Sequence, residues 1–233
     1  MKGIKRILSL LLLVVLLLLP AGCKKDPDDV SGSLVPDSQP SQESSASAEE
    51  SEDEALSIGQ VNGGRYENKY FGFGCSLDST WTYASQEQLQ AQNGLTAEMF
   101  DDEALQEQLR NSNMFYDMMA ATSDLSLNIN VVVQNMGQLY GSILSEDTIV
   151  QQTIKSLPDQ LAASGMSVTS CKAADVEFAG ATHKAIRLTS IVQDTQVYQI
   201  CVFIKRGGYI ANITLTSFTD NTTDTLLKLF YGV

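Results

Sequence analysis

Residues 168–178 (VTSCKAADVEF), 182–192 (THKAIRLTSIV), 195–205 (TQVYQICVFIK) and 209–218 (YIANITLTSF) are four consecutive β-rich runs. The breaks between them are short: Ala179-Gly180-Ala181, Gln193-Asp194 and Arg206-Gly207-Gly208. A parallel neighbour needs a crossover of a dozen residues or more, so breaks this short join antiparallel strands in sequence order. The last third of the chain is therefore a β-meander.

Upstream, the same period of two returns. Leu125, Leu127, Ile129, Val131 and Val133 point one way, while Ser126, Asn128, Asn130 and Gln134 point the other. That is the pattern of a half-buried antiparallel strand, and residues 114–121 form its candidate partner. A helix begins between these runs and the meander. Ser145 caps it, Glu146 and Asp147 suit its first turn, and Ile149, Ile154, Leu157 and Leu161 make an apolar stripe. Pro158 is expected to kink this helix or start a second segment, and Gly165 to end it.

Nearer the start, residues 65–77 read as two short strands joined by a turn, with Asp78-Ser79-Thr80-Trp81 as a bend. Residues 85–111 turn helical. Ser85 and Gln88 have capping-box spacing, Asn93-Gly94 breaks the first helix, and Asp101-Asp102-Glu103 favours the start of a second. Thr222 or Asn221 caps a last helix carrying Leu226, Leu227, Leu229 and Phe230. The expected class is α+β: an antiparallel sheet of about six strands with helices packed on it. Residues 61–233 are long enough to form one domain with its own core.

The first 60 residues read differently. Lys2, Lys5 and Arg6 precede an apolar stretch at 7–19, and Ala21-Gly22-Cys23 follows. Thirteen residues at about 1.5 Å each cannot cross a hydrocarbon core of about 30 Å, so the stretch fits a signal peptide. The layout resembles the lipobox of bacterial lipoproteins, with Leu19 and Pro20 where that family usually has Leu three residues before the cysteine. The resemblance implies lipidation of Cys23, removal of residues 1–22, and a lipid anchor at the extracytoplasmic face of the cell membrane. Two or more acyl chains anchor stably where one does not. An ordinary secretory signal with an incidental cysteine is the alternative.

Residues 23–60 then form an acidic disordered tether. Ten acids stand there against Lys24 and Lys25, with no aromatic residue. Such a segment cannot bury enough apolar surface to offset its ordering entropy, and its like charges keep it extended. The run at 49–54 has neither the alternating ligands nor the central glycine of a calcium loop.

A family resemblance is carried by Tyr66-Glu67-Asn68-Lys69-Tyr70-Phe71-Gly72-Phe73 ahead of Asp78-Ser79-Thr80-Trp81. It resembles the opening of PsbP-like domains, a Tyr/Asn-rich strand with a Gly-Phe step and a Pro-x-x-Trp turn; Asp78 stands where the proline is common. The closing order of strands, Gly turns and helix is similar too. The resemblance implies an α/β/α sandwich around an antiparallel sheet. Members include extrinsic proteins of photosystem II and bacterial envelope lipoproteins, which implies an accessory or binding role. It brings no catalytic residue.

The residues themselves offer few chemistries. The net charge is −13, which argues against nucleic acid. His183 is the sole histidine, so a zinc site built on several imidazoles is excluded and a catalytic triad would depend on this residue. No Gly-x-Ser-x-Gly elbow or phosphate-cradling loop occurs, and Gly207-Gly208 reads as a hairpin turn. Asp101-Asp102 reads as solvated helix-start charge. Cys75, Cys171 and Cys201 are odd in number and sit in apolar runs, so buried free thiols are expected, and a Cys75–Cys171 bridge is not deducible from spacing.

Trp81, Tyr70, Phe71 and Phe73 could make a stacking patch, but core positions are favoured. Met114, Phe115, Tyr116, Met118 and Met119 suit either an adaptable surface or the core, with the core favoured. The acceptor motifs at Asn212 and Asn221 carry little weight in a bacterial lipoprotein. No metal, cofactor or catalytic residue is expected. The expectation is a non-catalytic accessory or binding module with an envelope protein or polymer as partner. An envelope hydrolase using His183 is the alternative, and a single-domain solute-binding lipoprotein ranks after it.

Overall fold

The computed structural model describes residues 56–94, 107, 111–137, 141, 143–218 and 220–233. The expected signal stretch, Cys23, nearly all of the expected tether and Asp101-Asp102 lie outside them.

The meander forms as its turns dictate. Strands β7 (Ser167–Phe178), β8 (Ala181–Val192), β9 (Thr195–Arg206) and β10 (Tyr209–Phe218) pair antiparallel in sequence order. The first two hairpins close with both central residues at positive φ: 51° and 87° at Ala179 and Gly180, 47° and 64° at Gln193 and Asp194. This is the turn whose twist matches that of the flanking strands.

Strand β10 continues the sheet to β6 (Leu127–Asn135), then β5 (Met114–Thr122) and β4 (Trp81–Tyr83). The order is β4-β5-β6-β10-β9-β8-β7, seven strands where the sequence suggested about six. The extra strand is β4, which starts at Trp81, the last residue of the expected bend. Three residues from Trp81 are enough to pair with Thr122, Ala121 and Ala120.

A second sheet holds four short strands, β1 (Gln60–Asn62), β2 (Arg65–Asn68), β3 (Phe73–Ser76) and β11 (Phe230–Gly232), in that order. Strand β11 corrects the expectation for the C-terminus. Helix α3 (Thr223–Leu227) ends before Phe230, which pairs with Cys75. The reason is packing: as a strand residue Phe230 meets Phe178 at 4.5 Å and Phe73 at 6.1 Å between ring centroids.

The small sheet and α3 cover one face of the large sheet. Tyr66, Phe73, Cys75 and Leu226 meet Phe115, Val131, Val202 and Ile213 there in one buried core. Leu56 is buried in the same core, so the ordered interior reaches ahead of the Val61 boundary suggested by composition. Helix α2 (Glu146–Ala163) covers the other face, placing Val150, Leu157 and Leu161 on Ile186, Leu188 and Phe203. It runs through Pro158 as one helix, from the Ser145 cap to Gly165 at φ 82°. The class is the expected α+β with antiparallel sheets; one face of the large sheet carries α2 and the other carries α3 together with the small sheet.

Candidate functional site

The short helix α1 (Gln86–Gln92) lies beside β5, at the edge of the large sheet that begins with β4. Its start was legible: Ser85 Oγ accepts from the Gln88 amide at 3.2 Å, and the Ser85 amide donates to Gln88 Oε1 at 2.8 Å. Its end is Asn93, whose side chain does unusual work. Nδ2 donates to the Tyr116 carbonyl at 2.9 Å and Oδ1 accepts from the Tyr116 amide at 2.7 Å. Asn93 thus pairs with β5 as a strand residue would, at a point the three-residue β4 does not reach.

Clefts flank α1 on both sides. One, of about 570 Å3, lies between α1 and the β5–β6 hairpin; Gln88, Gln92, Met119, Leu125, Asn128 and Asn130 are among its walls. None of the described residues lining it is charged or a histidine. The other, of about 600 Å3, lies between α1 and β1, and Asp117 is the acid in its lining.

Asn128 and Asn130 form a relay in the first cleft. Asn128 Nδ2 donates to the Ala120 carbonyl at 3.3 Å, and Asn130 Nδ2 donates to Asn128 Oδ1 at 2.7 Å. The relay fixes which way both amides face. It leaves Asn130 Oδ1 buried without a donor. The alternation had marked Asn130 for the polar side of its strand, and it is buried nonetheless.

Asp117 is a candidate functional-site residue that no motif in the sequence marks. Asp117 follows Phe115 at the strand period of two and so faces the core between the sheets, and the ladder then slips between Tyr116 and Met118, which returns Met118 to the same face. There its carboxylate accepts from the Gly59 amide at 2.8 Å, from Asn68 Nδ2 at 2.8 Å and from the Tyr66 hydroxyl. Burial pushes the carboxyl above its usual range against the pull of those three donors. Burial likewise drives the Tyr66 phenol well above its ordinary value, with the Asp117 charge adding to it. The one available signal was an acid inside the apolar run 114–119.

His183 stands at the end of β8, half-buried, with Nδ1 3.4 Å from Glu146 Oε1. The Lys205 amide donates to the same oxygen at 3.1 Å. Burial raises the Glu146 carboxyl, and His183 and the Lys205 amide outweigh it, leaving the group below its usual range. The acidic neighbour an enzyme would need is present. Among the described residues, no hydroxyl is hydrogen-bonded to His183.

The aromatic patch does not form. Tyr70, Phe71 and Phe73 are core residues, and Trp81 is half-buried against the same core. Phe115, Tyr116 and Met118 are buried as well, and Met119 faces the first cleft. Cys75, Cys171 and Cys201 are free thiols; burial raises Cys75 to about 11 and Cys201 to about 12. Asn212 is buried in mid-strand, which closes it to modification, and Asn221 is exposed. Among the described residues, no three His, Cys, Asp or Glu side chains come together as a metal would need, and no helix is long and apolar enough to cross a membrane.

No family model matches the chain, and no curated protein does. Among solved structures, it is similar to cyanobacterial PsbP (CyanoP) from Synechocystis sp. PCC 6803, with a TM-score of 0.44 and 12% identity over 80% of this chain and 99% of that one. It is also similar to a protein from Bacteroides thetaiotaomicron VPI-5482, with a TM-score of 0.40 and 9% identity over 76% of this chain and 49% of that one. The first likeness is to the family that the Tyr66–Phe73 stretch resembles, and it concerns the fold alone.

Proposed function

We propose that this chain is an envelope lipoprotein, held at the extracytoplasmic face of the cell membrane by lipid on Cys23, whose domain is a non-catalytic accessory or binding module. The observation that carries the binding reading is the first cleft. At about 570 Å3 it has the size of a ligand site, and its described lining offers amides, hydroxyls and apolar groups but no carboxylate, imidazole, amine or thiol. Such a set suits recognition of a partner through hydrogen bonds and apolar contact. The anchor rests on the run Leu19-Pro20-Ala21-Gly22-Cys23, and the acidic tether gives the domain a reach of about 35 Å.

Two measurements test it. Mass spectrometry of the protein from native membranes is expected to find Cys23 as the N-terminus with a diacylglyceryl thioether. A free thiol at Cys23, with residues 1–22 still attached, overturns the anchor. A photo-crosslinking residue at Ala91, exposed on the cleft wall, is expected to trap one envelope component in cells. No adduct overturns the module.

The contact between His183 and Glu146 favours one second reading, an envelope hydrolase. It requires His183→Gln to abolish a turnover that the parent protein shows on envelope material.

A further inference from the structure

Two unfavourable features of the fold meet in the cleft between α1 and the β5–β6 hairpin. Asn130 is 4% exposed, and its Oδ1 accepts no hydrogen bond. A buried amide oxygen without a donor is worse for stability than an apolar group of the same shape. Leu125 holds φ 61° in the β5–β6 turn, the left-handed region that disfavours any residue with a Cβ. Its side chain is 36% exposed at the cleft, so burial does not offset that strain. Glycine or asparagine is the ordinary residue for such a turn. Both features cost stability where they stand, and here they line the same cleft.

The chemistry of the lining narrows what they serve. The chain carries a net charge of −13, yet no described residue of this cleft is charged. A charged ligand would give up water there without meeting a counter-charge. An uncharged one would gain Met119 and Leu125 as an apolar wall, with Gln88 and Gln92 along α1.

We propose that this cleft binds an uncharged ligand that donates an amide N–H or a hydroxyl to Asn130 Oδ1 and seats an apolar group against Met119 and Leu125. The proposal rests on the binding reading above and gives it a ligand class.

The test uses the full-length protein in detergent micelles and three probes: N-acetyl-leucinamide, its charged counterpart N-acetyl-leucine, and methyl glucoside as a hydroxyl donor. The expected result is saturable NMR shifts of the Asn130 side-chain amide and the Met119 methyl with N-acetyl-leucinamide, at least tenfold weaker with the acid. The glucoside shows whether a hydroxyl serves in place of an amide. Leu125→Gly is expected to keep or raise Tm, and Asn130→Val, which also removes the donor to Asn128 Oδ1, is expected to abolish the saturation in a protein that still folds.

Absence of saturable shifts with both neutral probes overturns the proposal. So does unchanged binding in Asn130→Val. If the Ala91 cross-link survives while the probes fail, this site assignment falls and the module reading stands.

Discussion

Tyr66 on β2 and Asp117 on β5 are 51 positions apart and joined by a hydrogen bond across the gap between the two sheets. The phenol donates to Oδ2, Asn68 donates to the same oxygen, and the Gly59 amide holds Oδ1. One carboxylate therefore ties the small sheet, and the segment leading into it, to the large sheet. The bulge at 117 lies in the same place: Phe115 and Asp117 face this core by alternation, and the extra residue lets Met118 face it too.

Burial raises the Asp117 carboxyl, so its contribution to stability has a definite sign. An acid whose folded pKa lies above its unfolded value contributes fully below the unfolded value. The contribution is lost as pH climbs through the folded one. The Tyr66 hydroxyl opposes the rise, so Tyr66→Phe moves the folded value further up and deepens the loss at neutral pH. A hydrogen bond to a charged group is worth about 1.5–3 kcal/mol. Urea unfolding of Tyr66→Phe should show a deficit of that order at pH 7 and a smaller one at pH 4. An equal deficit at both values would mean that Asp117 does not change charge in this interval.

Gly59 is fixed by the same cluster. A Cβ at this position would lie 2.2 Å from a ring carbon of Tyr66, which is fully buried and has no room to withdraw. Overpacking of this kind costs about 1–3 kcal/mol. Gly59→Ala should lower the urea midpoint accordingly and weaken the Gly59–Asp117 bond, visible as faster exchange of the residue-59 amide. A midpoint equal to that of the parent would show that the segment before β1 can shift freely.

Local signals in the sequence survived folding where they described hydrogen bonds within one turn. The Ser85 capping box, the Ser145 cap, the Gly165 stop and the three hairpins of the meander all depend on neighbours a few residues away. Strand β11 was illegible because Phe230 follows an amphipathic run that reads as helix, and only the open edge of β3 draws it into a sheet. Asp117 was illegible because its partners, at 59, 66 and 68, come from a different sheet and the segment leading into it. The cleft was hidden for a related reason. The alternation marked Asn128 and Asn130 as polar, but nothing local says that α1 returns beside them and turns a polar strand face into a cavity wall.

Asn93 makes a further prediction about the edge of the large sheet. Its two hydrogen bonds satisfy both backbone groups of Tyr116, next to the bulge. Asn93→Ala leaves those groups without this partner, and each lost bond is worth about 0.5–1.5 kcal/mol. The expected result is a loss of about 1–3 kcal/mol, with hydrogen exchange at Tyr116 accelerating more than at Val131 in the sheet centre. A uniform change at both amides would mean that Asn93 supports global stability and does not guard this edge.

Gln193 and Asp194 invite the opposite experiment. Both hold positive φ, 47° and 64°, in the turn between β8 and β9, and both are exposed. The first hairpin of the meander places Gly180 at its second turn position, where Gln193-Asp194 has a residue with a Cβ. A left-handed residue with a Cβ costs about 1–2 kcal/mol relative to glycine, and asparagine suffers less because its short side chain bonds locally. The double change Gln193→Asn with Asp194→Gly gives the turn the residues its dihedrals favour, while the glycine also loosens the unfolded chain and returns part of that gain. The net expectation is a stabilisation of about 1 kcal/mol, read as a higher urea midpoint with an unchanged slope. A lower midpoint would show that Gln193 or Asp194 makes a contact worth more than its strain.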